Sequence, residues 1–128
     1  MRSPTGGLMT IESRVRRGDV FIGGLDPVVG HEQAGPRPVL VISINPLNAS
    51  PAELVIAVPL TTTDRGSELH VRLDPPEGGL GRVSFAMPEM VRVLSMRRLG
   101  RKVGHASPDT VETVAKRVGI LVGLGRSR

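Results

Sequence analysis

The sequence contains no cysteine, no tryptophan and no tyrosine, and two phenylalanines in 128 residues. Without cysteine there are no disulfides, no thiolate metal ligands and no cysteine nucleophile. With Phe21 and Phe85 as the whole aromatic complement, an aromatic base-stacking sheet of the RRM type and an aromatic proline-reading groove are both excluded. Histidine is scarce too: His31, His70 and His105 are far apart, and none lies in an HxH or HExxH pattern or beside a cluster of carboxylates. No metal site and no cofactor is expected. Long apolar runs are also missing, since Val39 to Ile42 and Leu54 to Leu60 fall far short of the roughly 18 residues that span a bilayer. The first 15 residues hold no apolar signal-peptide core, so the cytoplasm is the expected location.

Lysine is nearly absent. Lys102 and Lys116 are the only two, so 17 − 2 = 15 of the basic residues are arginine, and the net charge is +5. Arginine is the bidentate, always-charged residue suited to phosphate, which points to nucleic acid. A GC-rich genome would produce the same bias, and composition does not separate the two readings. Glycine and proline, 16 and 11 residues, are spread along the chain, which reads as many turns between short strands.

Residues 1–14 are small and polar without periodicity and read as a flexible tail, leaving 15–125 as one domain. Six strands are expected. Asp19 to Leu25 is the first, and the β-branched runs Val39 to Ile44 and Leu54 to Thr61 form the sheet centre. Leu69, Val71 and Leu73 alternate with His70 and Arg72; Val83 and Phe85 alternate with Arg82 and Ser84; Val91 and Val93 flank Arg92. Each alternation is the pattern of a half-buried antiparallel strand with its apolar residues inward. Between the first two strands, Asp26 to Pro38 is a long loop, and long loops in small domains usually carry function.

The period changes near the C-terminus. Ser107, Pro108 and Asp109 supply an N-cap, a first helical position and a charge suited to the helix dipole. Val111, Val114, Ala115, Val118, Leu121 and Val122 then share one stripe. Gly119 within it implies close packing or an early helix end. The expected fold is mainly β: a small, partly closed antiparallel barrel with a C-terminal amphipathic helix.

Four stretches in order carry a more specific signal: RRGDVFIGGLDPVVGHEQAGPRPVLVIS (16–43), VIAVPLTT (55–62), SFAMPEMVRVLSMRRLG (84–100) and the terminal helix. Together they resemble the MazF/PemK/Kid family of toxin ribonucleases over about residues 15–124, and GHEQAGPRP (30–38) is the most specific element. The resemblance implies an SH3-like barrel and a homodimer with RNA in a groove across its interface. It also implies metal-independent, sequence-specific cleavage of single-stranded RNA to a 2′,3′-cyclic phosphate and a 5′-hydroxyl, with inhibition by a cognate antitoxin.

By their places in GPRP and VPLT, Arg37 and Thr61 match the family's catalytic arginine and threonine. The Arg37 guanidinium suits two phosphate oxygens and the Thr61 hydroxyl a third. Charge stabilisation is the role favoured for Arg37, with proton transfer open. Glu32, in the same loop, is placed either to orient Arg37 or to act as base. His31, Gln33, Thr62, Arg82 and Arg92 are the expected RNA contacts, although His31 fits a polar loop tip equally well. Arg92, Arg97, Arg98, Arg101 and Lys102 run without an intervening acid and read as a phosphate track.

One departure stands out. Family members commonly carry an acid and then Gln before the late apolar-Arg pair, whereas this chain has Glu89-Met90-Val91-Arg92, so the family's base readout does not carry over. Two other functions compete: a protein-directed toxin of the gyrase-poison type on the same barrel, and a non-catalytic nucleic-acid-binding module. The former relies on an aromatic helix end, and this chain ends GILVGLGRSR.

Overall fold

The computed structural model describes residues 15–24 and 35–125. The expected tail 1–14 and most of the first loop, with His31, Glu32 and Gln33, lie outside the described residues. Seven strands form an antiparallel sheet: β1 (Asp19–Gly24), β2 (Pro36–Val41), β3 (Leu54–Thr61), β4 (Val71–Leu73), β5 (Ser84–Ala86), β6 (Arg92–Ser95) and β7 (Leu99–His105). A short helix α1 (Asn45–Asn48) follows β2, and α2 (Pro108–Leu121) ends the fold. The strand order is β4-β5-β3-β2-β1-β7, with β6 paired to β3, so the sheet curls without closing into a full barrel. The two β-branched runs are its centre, as their composition implied.

Strand β3 changes partner along its length. Leu54 to Ala57 pair with β6, while Leu60 and Thr61 pair with β5. Pro59 lies between these segments and has no N–H to offer a ladder. The sheet therefore splits near the end of β3. Side chains alternate between two packed faces: Val20, Leu40, Ile42, Val58 and Leu60 pack with Val111 and Val114 of α2. Phe21, Val39, Val41, Val55, Ala57 and Leu94 pack on the opposite face.

Four expectations are corrected. Arg37 lies in strand rather than loop, because β2 begins at Pro36, and a residue before proline is sterically driven to extended backbone. β7 was not expected as a strand; Gly100, Arg101 and Lys102 are exposed in a row and only Leu99, Val103 and Gly104 are half-buried, so no alternation marks it. In β5 the buried residues are Ser84 and Ala86, with Val83 and Phe85 only half-buried. Small side chains face inward there because β5 is enclosed between β3 and β4. In β6 the buried residue is Leu94, and Val93 is exposed.

The helix start is as read: Thr110 N donates to Ser107 Oγ, with Pro108 in the first turn. Gly119 marks close packing, since a Cβ there would meet Leu124 Cδ2 at 3.2 Å, where Leu124 N donates back to Gly119 O. Glu77 adds a second cap, its Oε2 accepting from Ser107 N at 3.0 Å. Burial works to raise the Glu77 pKa, but hydrogen bonds from Thr110 and Ser107 outweigh it and hold the carboxyl below its ordinary 4.5. A depressed carboxyl pKa contributes stability above the unfolded value that is lost as pH falls through the folded one. Glu77→Gln should therefore melt a few degrees below wild type at pH 7, with a gap that closes below pH 4.5, when followed by far-UV circular dichroism. Because Glu77 is half-buried and its carboxylate still meets solvent, the loss should stay under about 1 kcal/mol. A gap that persists unchanged in acid contradicts this role.

Asp19 is buried and joins β1 to β7. Its Oδ2 accepts from Arg16 N at 2.9 Å, and its Oδ1 lies 2.8 Å from His105 Nδ1 and 3.2 Å from Lys102 Nζ. Lys102 is thus engaged by an internal carboxylate, which shortens the basic track read from the sequence.

Candidate active site

Arg37 and Thr61 come together at the split in the sheet. The β2–β3 register pairs Val39 with Pro59; continued by two residues it places Arg37 opposite Thr61. Both residues occupy the face that carries Val39, Val41, Val55 and Ala57, because side chains alternate with period 2. Between them opens a cleft of about 140 Å³ lined by Arg37, Pro38, Leu60, Thr61, Thr62, Thr63 and Ser84. Among these residues Arg37 carries the only charge and no carboxylate is present. An anion entering the cleft meets a guanidinium and several hydroxyls.

The Thr61 hydroxyl is oriented by its own turn. Thr63 N donates to Thr61 Oγ1 at 3.1 Å, which uses an oxygen lone pair and leaves the hydroxyl proton to be donated. The segment after Thr61 is held at its far end, where Arg117 Nη1 donates to the carbonyls of Glu68 at 2.9 Å and His70 at 2.9 Å. His70 Nε2 lies 2.7 Å from Glu89 Oε2, which ties the same segment to the turn before β6.

Thr62 lines the cleft. Arg82 and Arg92 do not. Arg82 is exposed beyond the cleft and reaches it only through its carbonyl, which accepts from Ser84 Oγ at 3.0 Å. Arg92 is half-buried on β6 opposite Ala57, four residues along β3 from Thr61. Sequence reasoning missed Thr63 and Ser84. The Thr-Thr-Thr run was a visible signal for the first, whereas Ser84 was read as part of a solvated face. Among the described residues there is no group of three or more His, Asp or Glu placed to hold a metal ion, and no helix is long and apolar enough to cross a membrane.

Residues 16–122 match the family described as PemK-like, MazF-like toxins of type II toxin–antitoxin systems. The chain belongs to that family. It is 35% identical over 111 residues to endoribonuclease EndoA of Bacillus subtilis strain 168, covering 86% of this chain and 96% of that protein. The crystal structure of MazF from Deinococcus radiodurans is similar with a TM-score of 0.75 at 29% identity, covering 86% of this chain and 97% of that one. A MazE–MazF structure from the same organism is similar with a TM-score of 0.69 at 29% identity, over 87% of this chain and 97% of that one. Family and fold agree with the resemblance read from the sequence.

Proposed function

We propose that the chain is the toxin of a type II toxin–antitoxin pair and an endoribonuclease that cuts single-stranded RNA at the Arg37–Thr61 cleft without a metal. The observation that carries this reading is the pairing of one guanidinium with hydroxyl donors in a cleft that no carboxylate lines among the described residues, in a chain whose relative EndoA is an endoribonuclease. The reaction is an internal transesterification. The ribose 2′-oxygen loses its proton to a base and bonds to phosphorus, the P–O5′ bond breaks, and O5′ takes a proton. The products are a 2′,3′-cyclic phosphate and a 5′-hydroxyl. Arg37 holds two phosphorane oxygens, Thr61 donates to a third, and Glu32 in the first loop either orients Arg37 or acts as the base. Cutting cellular RNA in the cytoplasm then halts translation and growth.

Homodimerisation fits the exposed apolar residues. Ile44 is 62% exposed, Val93 57%, Val122 77% and Leu124 73%, large apolar side chains of the kind that a second copy covers around a two-fold axis. By analogy with the MazE–MazF structure the chain takes an antitoxin partner, and a net charge of +5 together with the Arg37 cleft suits an acidic protein that covers the RNA site.

The test is incubation of purified protein with end-labelled single-stranded RNA and duplex RNA in EDTA. Discrete cleavage of the single strand alone is expected, by a dimer in sedimentation at micromolar concentration. Cleavage that appears only after Mg²⁺ or Mn²⁺ is restored overturns the mechanism, and a fully active monomer overturns the dimer.

A further inference from the structure

A second pocket lies on the same sheet face as the cleft. It has a volume of about 380 Å³, within the range of small-molecule sites, and is lined by Val15, Phe21, Glu53, Met96, Arg97, Leu99 and Gly100. Phe21 and Leu99 belong to the packed face that carries Val39, the face of Arg37 and Thr61. Gly23 joins the two sites, pairing with Arg37 on one side and with Leu99 on the other. Two strand spacings, about 10 Å, thus separate the backbones of Arg37 and Leu99. Gly23 is itself buried and adds no side chain between them; a Cβ there would meet Val39 Cγ2 at 3.2 Å. A strand of RNA with its phosphate at Arg37 has a neighbouring base within reach of this pocket.

The pocket's chemistry selects a base. Phe21, Met96 and Leu99 offer an apolar floor, while Glu53 and Arg97 bring one acceptor group and one donor group. Glu53 is also the one non-glycine residue at positive φ among the described residues, at 56°. Its carbonyl accepts from Met96 N at 2.9 Å, so the disfavoured backbone is fixed against the pocket's own wall. A residue kept in such a conformation beside a pocket is the pattern of a binding position.

We propose that this pocket is a guanine subsite, receiving a base next to the phosphate that is cut. A carboxylate accepts two hydrogen bonds side by side, and guanine presents N1–H and the 2-amino group on one edge. Its O6 and N7, on the adjoining edge, are the acceptor pair matched by an arginine fork. Adenine and cytosine place a ring acceptor beside their amino group, and uracil flanks its one N–H with two carbonyls, so each sets an acceptor against the Glu53 oxygens. The inference rests on the RNA-cleaving reading of the cleft and adds the base it prefers.

A random-sequence single-stranded RNA pool cut by wild type, Glu53→Gln and Arg97→Ala, with both product ends sequenced, tests it. Wild type should enrich guanine at one position beside the cut. Glu53→Gln should lower the preference for guanine over adenine at that position by about tenfold or more, and Arg97→Ala should weaken it, while both variants melt normally and still cut the pool. Three identical profiles, or a wild-type profile without guanine beside the cut, overturn the subsite and leave the cleavage reading intact. A pool left uncut by wild type overturns the cleavage reading and the subsite together.

Discussion

Arg37→Lys is expected to slow RNA cleavage by about 100-fold or more while leaving the melting temperature unchanged. The two residues carry the same charge, so attraction of RNA to the cleft should change little. What lysine lacks is the planar fork: an ammonium reaches one phosphorane oxygen at a time, whereas a guanidinium holds two in fixed geometry. The loss should therefore fall on the chemical step, seen as a lowered single-turnover rate at saturating protein. Stability should survive even though Arg37 is a strand residue, because its half-buried side chain borders the cleft and the packed face begins at Val39. Far-UV circular dichroism is the suitable probe of melting, as the chain has no Trp or Tyr. A variant that melts normally and cuts within about threefold of wild type removes Arg37 from the chemistry, since that factor is well under the ~1.4 kcal/mol of a tenfold effect.

Gly79→Ala should cost the most stability. Gly79 sits in the turn after β4 at φ 73°, a conformation that L side chains rarely adopt. A Cβ there would lie 2.0 Å from the Val103 carbonyl oxygen and 2.7 Å from its carbon, so the obstacle is the backbone of β7 and no side chain can rotate away. Overpacking costs about 1–3 kcal/mol and the left-handed backbone about 1–2 more, a large share of the ~5–15 kcal/mol that holds a domain folded. Melting should fall by roughly 10–20 °C. Gly81→Ala is the control: that glycine is exposed, has no atom within 4 Å of an added Cβ and has no positive φ, so it should melt within a few degrees of wild type. Equal melting of the two variants contradicts the packing account.

The same glycines show what the sequence could and could not disclose. Gly78 and Gly79 read from the sequence as turn residues, yet their purpose depends on a contact with Gly104 some 25 residues away, where a Cβ would lie 2.5 Å from Gly79 N. The β-branched runs of β2 and β3 and the Ser-Pro-Asp start of α2 were legible because their signals are local. β7 was hidden because its charged and glycine positions mask any alternation, and β5 was read with the wrong face inward because Ser84 and Ala86 are small rather than polar surface residues. In the cleft, Arg37, Thr61 and Thr62 followed from motif position, while Ser84 needed the β5–β3 pairing that brings it there. The second pocket draws on Val15, Phe21, Glu53 and the 96–100 segment, four separate stretches that no spacing rule connects.

In the proposed reaction the Arg37–Thr61 cleft activates a ribose 2′-hydroxyl against its own phosphate. The most direct measurement uses a single-stranded RNA whose cut position is known and a matched strand with one 2′-deoxynucleotide on the 5′ side of that cut, both incubated with wild-type protein in EDTA and resolved by mass spectrometry. The account predicts that the all-ribose strand yields a 2′,3′-cyclic phosphate and a 5′-hydroxyl while the deoxy-substituted strand is bound and remains whole. Cleavage of the deoxy-substituted strand at the same position, leaving a linear phosphate, would contradict it.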